Sequence, residues 1–334
     1  MATIKDIANK LGISVSAVSK GLNGANDISE ELRQQVLETA VEMGYSTKRS
    51  KKIGHRKLCI FVENLYYDSE TQFGYDIVLG FKQNAFRRKW DVTVVPINPQ
   101  FQKQEEYDVY MLKNGYSGAF LVGFTLEDEW IKQLESSSVP TVLFDNHIQK
   151  NPHVCYVGTD NYDGIDLAID HLYNLGHRKI AFLNGPMNSF VSQQRMDAFH
   201  ISMRKHNLDV NPNRIASGEY LMETGHYHVP NFLKEGATGI ICGNDMIAAG
   251  VVAECNRLGY QVPEDISIIG FDDLPVASLC VPPLTTIRQE RKEIGKCAFD
   301  VLDSLIRQIG INRTLLHPTL IERKSTAKVK KNNE

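Results

Sequence analysis

Several kinds of motif are missing from this 334-residue chain, and each absence removes a class of function. The six cysteines, Cys59, Cys155, Cys242, Cys255, Cys280 and Cys297, form no Cys-x-x-Cys pair, and most fall in apolar runs. They read as small buried hydrophobes in a reducing compartment. No apolar stretch approaches the roughly 20 residues that a membrane helix needs. The opening MATIKDIANKLG is amphipathic, unlike a signal peptide, so the expected location is cytoplasmic, with no membrane partner. No glycine-rich phosphate loop is present, since GNDMIAAG lacks the Gly-x-Gly core and the Lys-Ser/Thr end. No Ser/His/Asp or Cys/His arrangement stands in a local motif, so neither catalysis nor a cofactor is expected. His171 and His177 are six residues apart with Gly176 between them, which takes them off one helical face. They read as packing or capping residues, and no metal is expected.

What is present is a lopsided charge. Residues 1–57 hold ten Lys/Arg against six Asp/Glu, while the whole chain has a net charge of −3. A small basic head on a larger acidic body suggests a head that meets an anion such as nucleic acid. The length calls for two or three domains, and the 42% hydrophobic content is ordinary for a globular protein.

The head reads as three capped helices. Thr3 and Asp6 form a variant capping box before Ile4, Ile7, Ala8 and Leu11, and Gly12 stops that helix. Ser14 caps a second helix over Val15 to Leu22, ended by Asn23-Gly24. Ser29 caps a third, with Glu30 and Glu31 in its first turn and Leu32, Val36, Leu37, Ala40 and Met43 as its inner stripe. Two short helices joined by a Gly-containing turn make a helix-turn-helix. The exposed side of the second helix carries Val15, Ser16, Ala17, Ser19 and Lys20. Small residues let a helix sit deep in a major groove, and Lys donates to guanine O6/N7. A plain helical bundle is the bland alternative.

The stretch TIKDIANKLGISVSAVSKGLNG, continued by ISEELRQQVLETAVEMGY, resembles the N-terminal signature of the lactose-repressor (LacI/GalR) family of bacterial transcription regulators. The resemblance implies base reading by Val15, Ser16 and Lys20, and backbone contacts from Ser14, Ser19 and Asn23, with Thr3 also in the DNA-facing set. The family usually has Thr at Ala17, Arg at Lys20 and Val at Gly21. Ala17 loses a hydroxyl, and Lys20 loses the bidentate fork that discriminates guanine.

From Leu58 short apolar runs alternate with helical patterns. LCIFV, VTVVPI, GAFLVG and TVLF read as strands, with helices near 74–89, 102–114 and 127–138. KIAFLN, TGIICG and ISIIGF follow, with helices near 162–175, 190–206, 223–235 and 245–258. Such alternation implies parallel sheets covered on both faces, here two doubly wound α/β lobes with ligands beyond the carboxyl ends of their strands. VGTDNYDGIDLAIDHLYNLGHRKIAFLNGP, ISIIGFDD, VPPLTTIRQ and LIERKST are similar to further blocks of the same family, so the resemblance spans nearly the whole chain. It implies a helix-turn-helix domain at 1–47, a basic hinge at 48–57 and a periplasmic-binding-protein-like effector and dimerisation body at 58–328. Lobe 1 is expected at about 58–159 and 289–318, lobe 2 at about 160–288 and 319–328, with the effector cleft between them. A polar tail, 329–334, is expected to be solvated, and without a leucine-heptad helix a homodimer is favoured over a tetramer.

By the same resemblance Asp145, Arg195, Asn244 and Asp272 contact the effector. Phe73 and Tyr220 fall where the family places aromatics, and His147 joins the rim. Carboxylates accept paired hydroxyls, Arg donates a fork and an amide does both, so the chemistry suits a polyol. Two acids against one Arg disfavour an anion. The structural alternatives are that Asn244 and Asp272 cap the next helix, that Arg195 pairs with Asp197, and that Phe73 is core. The expected function is a repressor of sugar-utilisation genes that binds operator DNA under control of a sugar-like effector. The alternatives are a nucleobase or nucleoside effector, or a sugar-binding receptor without gene control.

The hinge departs from the family. Its usual P-N-x-x-A-R-x-L folds into a short helix on the operator and wedges its Leu into the minor groove. Here STKRSKKIGHRKL stands in that place, without the Pro-Asn, the Ala-Arg or the Leu. Lys48, Arg49, Lys51 and Lys52 are expected to anchor the phosphates, and Ile53 is the apolar side chain near the wedge position, beside the poor helix former Gly54.

Overall fold

The computed structural model describes residues 2–45 and 56–330. The hinge residues Lys48, Arg49, Lys51, Lys52 and Ile53 lie outside the described residues.

The head forms as its caps dictate. Helix α1 (Ile4–Leu11) opens at Thr3, whose Oγ1 accepts from the Asp6 N–H at 3.3 Å while Thr3 N–H donates to the Asp6 carboxylate at 2.7 Å. Ser14 caps α2 (Val15–Asn23), accepting from the Ala17 N–H at 3.1 Å. That helix runs one residue past the expected Leu22 before Gly24 turns left-handed. Ser29 caps α3 (Glu30–Glu42) by accepting from the Leu32 N–H. Ile7, Ala8, Val18, Val36 and Ala40 are the buried centre of the head. Gly21 explains one departure from the family pattern. A β-carbon there would stand 3.0 Å from Val36 Cγ1, so α2 and α3 meet where α2 has no side chain. Leu112 also packs against this core, and Lys113 Nζ lies 3.3 Å from Glu30.

The remaining elements follow in chain order. They begin with β1 (Lys57–Val62), α4 (Phe73–Arg87), β2 (Asp91–Pro96), α5 (Pro99–Gln104), α6 (Tyr107–Asn114), β3 (Ala119–Val122), α7 (Glu129–Gln133), β4 (Thr141–Phe144) and β5 (Val154–Thr159). Next come α8 (Asn161–Asn174), β6 (Ile180–Asn184), α9 (Phe190–Lys205), β7 (Ile215–Ser217), α10 (Glu223–Lys234), β8 (Gly239–Cys242), α11 (Asp245–Arg257) and β9 (Ser267–Asp272). The chain closes with α12 (Pro275–Leu279), β10 (Thr285–Arg288), α13 (Arg291–Ile306), β11 (Arg313–Leu316) and β12 (Thr319–Ile321). Two sequence readings change. The helix expected near 102–114 is two helices, broken at Glu105-Glu106, and the one expected near 127–138 is the short α7.

The strands form two six-stranded sheets, ordered β2-β1-β3-β4-β5-β11 and β7-β6-β8-β9-β10-β12. The first five strands of each repeat one doubly wound order. The pairings within them are parallel, whereas β12 runs antiparallel to β10. The chain divides into two compact units. One holds Met1–Leu65, Val78–Val157 and Gly295–Thr314, and the other Tyr66–Ile77, Gly158–Ile294 and Leu315–Glu334. Residues 66–77 therefore group with the second unit, whereas the sequence reading leaves them in the first lobe.

Apolar strands sandwiched by helices give each unit a core on both sheet faces. In the first unit Phe61, Tyr107 and Trp130 meet edge to face, with Phe61 and Trp130 centroids 4.9 Å apart. In the second, Phe182 and Phe199 stack at 4.9 Å under α9, while Ile240, Val251 and Val229 fill the other face. The segment after β12 is pinned by Val329 N–H to the Leu175 carbonyl and by Lys330 to Asp265 at 2.8 Å, with Lys330 still exposed.

Candidate functional site

The exposed side of α2 presents what the sequence reading places there. Val15, Ser16 and Lys20 are exposed, and Ala17 and Ser19 are half-buried, while Val18 points into the core. Asn23 Nδ2 donates back to the Ser19 carbonyl at 2.6 Å. Lys20 Nζ meets Asp27 at 2.5 Å, so a guanine that takes Lys20 competes with an acid of the same head. Both groups are exposed, which keeps that competition weak.

The second unit gathers a polar cluster at the carboxyl ends of its strands. Arg195, on α9, is 3% exposed. Its Nε donates to Asn161 Oδ1 at 2.8 Å, its Nη1 donates to the Gly243 carbonyl at 2.5 Å, and its guanidinium lies 3.8 Å from the Phe271 ring centre. It does not pair with Asp197. A desolvated cation over an aromatic face is worth about 2 kcal/mol, which helps keep this charge in place without a carboxylate partner. Asn161 holds its own orientation by donating to Gln194 at 2.9 Å.

Asp272 ends β9 at a φ of 109°, and Asp145 follows β4 of the first unit at a φ of 53°. Left-handed backbone at a non-glycine residue costs roughly 1–3 kcal/mol and concentrates where a side chain must be aimed. Gln289 Nε2 donates to Asp272 Oδ1 at 2.7 Å, and Thr159 Oγ1 donates to Gln289 Oε1 at 2.6 Å. Burial pushes the Asp272 carboxyl up to about 6, against the pull of Arg195, of the Gln289 hydrogen bond and of Arg291. Neighbouring Asp245, the first residue of α11, is pushed well up by burial and by Asp272, while Thr286 Oγ1 and the Leu274 N–H hydrogen-bond to it.

Several sequence-derived residues take other or additional work. Asn244 caps α11, its Oδ1 accepting from the Ile247 N–H at 2.8 Å. Phe73 opens α4 with the Arg291 guanidinium 5.7 Å from its ring centre, and Arg291 pairs with Asp76 at 3.3 Å. Tyr220 donates to or accepts from Ser192 Oγ at 2.6 Å. Asp145 and His147 lie in the first unit, where the His147 ring reaches Asn312 at 3.5 Å. Sequence reading missed Asn161, Asn184, Ser192, Gln289 and Arg291. Four of them sit in or beside quoted family blocks, VGTDNYDG, FLNGP and TTIRQ, which served only as fold markers. Arg291 also corrects the charge argument, because the second unit sets two arginines, not one, near Asp272.

His171 and His177 take packing contacts in the second unit. His177 Nε2 faces the Ala327 carbonyl at 3.0 Å and so donates, which leaves Nδ1 to accept from Thr238. His171 Nε2 meets Thr326 at 3.0 Å. Asp166, Asp170 and His206 come together between α8 and α9, but Lys205 Nζ stands 2.7 Å from Asp166 and already neutralises it.

A helix-turn-helix head on a body with buried polar strand ends is the build of a DNA-binding protein that answers to a small molecule. The comparisons agree. Residues 3–48 match the profile of bacterial regulatory proteins, lacI family, and residues 169–326 that of a periplasmic binding protein-like domain. The HTH-type transcriptional repressor PurR of Aliivibrio salmonicida is 27% identical over 337 residues, 98% of this chain and 100% of the relative. PurR of Klebsiella pneumoniae is 28% identical, covering 98% of this chain and 97% of the relative. A lac repressor dimer bound to operator and the anti-inducer ONPF superposes with a TM-score of 0.69 at 25% identity, covering 98% of this chain and 99% of that one. A complex of the transcriptional regulator CelR with cellobiose shares the fold at a TM-score of 0.72 and 22% identity, covering 97% and 100%. The chain belongs to the lacI family of bacterial regulatory proteins. It is a transcriptional repressor that works by binding DNA, not an enzyme.

Proposed function

We propose that this repressor controls carbohydrate-utilisation genes, and that a neutral sugar bound at the Arg195–Asp272 cluster sets its operator affinity. The observation that carries the reading is a fixed, buried guanidinium whose charge is felt by a buried aspartate held by Gln289. A donor fork and an acceptor on neighbouring strand ends suit a ligand whose hydroxyls both give and take hydrogen bonds. The lac repressor structure with an anti-inducer at 25% identity supports small-molecule control.

The protein acts as a homodimer. Each α2 enters a major groove of a pseudo-palindromic operator, with Val15, Ser16 and Lys20 toward the base edges and Ser14, Ala17, Ser19, Asn23 and Thr3 toward the backbone. Lys48, Arg49, Lys51 and Lys52 add phosphate contacts, with Ile53 beside the minor groove. Asp145, His147, Phe73, Tyr220 and Asn244 complete the set assigned to the effector. The effector shifts the equilibrium between a DNA-competent and a DNA-incompetent form by its different affinity for the two.

Thermal-shift screening of neutral sugars against nucleobases tests the effector class. A ligand at 100 times its Kd stabilises by about 2.7 kcal/mol. A shift with a sugar that Arg195→Ala removes supports the reading, and a shift with nucleobases alone overturns it.

A further inference from the structure

Asn184 ends β6, and its side chain is fully buried. Its Nδ2 donates to the Ser192 carbonyl at 2.8 Å. A carbonyl only accepts, so this contact fixes which end of the amide is nitrogen. The other end, Oδ1, is buried without a hydrogen-bond partner among the described residues. Buried polar atoms are seldom left unsatisfied, so this oxygen calls for a reason.

Its position supplies one. β6 and β8 pair in parallel with Leu183 opposite Cys242, which sets Asn184 beside Gly243. The Gly243 carbonyl is the one that holds Arg195 Nη1. Ser192, which holds Asn184, stands three residues before Arg195 on the same helix. β6 and β8 are also the strands at which the sheet order reverses, with β7 on one side and β8, β9 and β10 on the other. Open parallel sheets take ligands at that switch, beyond the carboxyl ends of the strands. Tyr220 covers this corner. A β-carbon on Gly185 would stand 2.2 Å from Tyr220 Cζ, so the ring seats there only because residue 185 is glycine. The Tyr220 hydroxyl is tied to Ser192 Oγ.

We propose that Asn184 determines effector specificity: once Tyr220 swings off Gly185, Asn184 Oδ1 accepts a hydrogen bond from one hydroxyl of a neutral sugar. The proposal rests on the sugar-effector reading above and deepens it. An amide oxygen held in this way takes a donor and repels an acceptor, so a hydroxyl is accepted there and a phosphate or carboxylate oxygen refused. By register Asn184 and Asp272 end strands two spacings apart, about 10 Å across the sheet, with Arg195 over the strand between them. Asn184 therefore reads a different hydroxyl from the one that Asp272 holds.

The test uses the full-length chain. A panel of neutral mono- and disaccharides, cellobiose among them, is screened by thermal shift, and the best binder is titrated calorimetrically beside its monodeoxy analogues. Wild type should bind the parent sugar more tightly than one particular deoxy analogue by roughly tenfold, the worth of one net hydrogen bond. Asn184→Leu should erase that one preference and leave the preferences at the other hydroxyls in place. Asn184→Ala takes its place in the titration if the Leu variant shows no cooperative melt. Wild-type discrimination in the variant, or an equal loss for the parent and every analogue, overturns the assignment of Asn184 while the sugar reading stands. A panel in which no neutral sugar shifts wild type overturns the sugar reading, and this proposal with it.

Discussion

Arg195 lies over the ring of Phe271, 3.8 Å from its centre, and reaches across to the Gly243 carbonyl on the neighbouring strand end. The guanidinium is thus fixed before any ligand arrives, which reduces the ordering cost of binding. Lysine keeps the charge but has neither the plane that stacks nor the fork that makes both bonds. We expect Arg195→Lys to lose at least tenfold in effector affinity and Arg195→Ala to abolish the effector-induced thermal shift.

Asp272 gives the site a pH dependence. Its carboxyl is raised to about 6 in the fold from an ordinary 3.8. The ionised form is thus penalised by folding, and the penalty is relieved as pH falls from about 6 towards 4. Asp272→Asn should therefore raise Tm at pH 8 and change it little at pH 4. Effector affinity has the opposite sign, because the carboxylate is the better acceptor for hydroxyls. Calorimetric titration of wild type should show affinity falling as pH drops through about 6, and the Asn variant should show a flat, weaker profile.

Glu63 offers a second titration, away from the ligand cluster. It follows β1 at the switch point of the first sheet, the topological counterpart of Asn184 in the second. Burial and nearby Asp128 push its carboxyl up to about 7, and its Oε1 has no hydrogen-bond partner among the described residues. Its penalty is present above about 7 and absent near pH 4.5. Glu63→Gln should raise Tm at pH 8.5 and leave it nearly unchanged at pH 5, read by thermal melts at the two values.

Gly21 tests the packing of the head. A valine there, the residue the family usually carries, meets Val36 at 3.0 Å. Overpacking of this kind costs typically 1–3 kcal/mol. Gly21→Val should lower the stability of the head, seen as faster amide exchange in α2 and α3, and Gly21→Val with Val36→Ala should recover most of it.

The head was nearly all legible in the sequence, because caps and stops are local. Thr3, Ser14 and Ser29 bond to residues three positions on, and Gly12 and Gly24 turn left-handed where the helices end. Most of the alternation was legible for the same reason, whereas β5, β7, β10, β11, β12, α12 and α13 were not read, and of these β7 and β12 are only three residues long. The ligand cluster was legible only in part. Arg195 and Asp272 follow recognisable blocks, but Arg195–Asn161 and Asp272–Gln289 join positions 34 and 17 residues apart. Asn244, expected as a ligand contact with a helix cap as the alternative, caps α11. Asn184 carries no signal of its own beyond its place before a Gly-Pro turn.

The basic run should act through phosphates. Each neutralised contact removes about 0.9 from the slope of log affinity against log salt. Replacing Lys48, Arg49, Lys51 and Lys52 by alanine should flatten that slope by roughly three to four and weaken binding on all sequences alike. Loss of specificity at an unchanged slope would assign the segment to Ile53 and the minor groove instead.

The most direct measurement is fluorescence anisotropy of the full-length protein on a pseudo-palindromic operator selected from a random duplex pool, with and without the sugar that gives the largest thermal shift. A selected operator should bind at least 1000-fold tighter than a scrambled duplex at the same salt, in line with roughly 10³–10⁷ for specific over non-specific sites. The sugar should change that affinity several-fold while leaving scrambled DNA unaffected, and Arg195→Ala should lose the change. Equal affinity for selected and scrambled duplex, or an operator affinity that the sugar leaves untouched, would contradict an effector-controlled repressor.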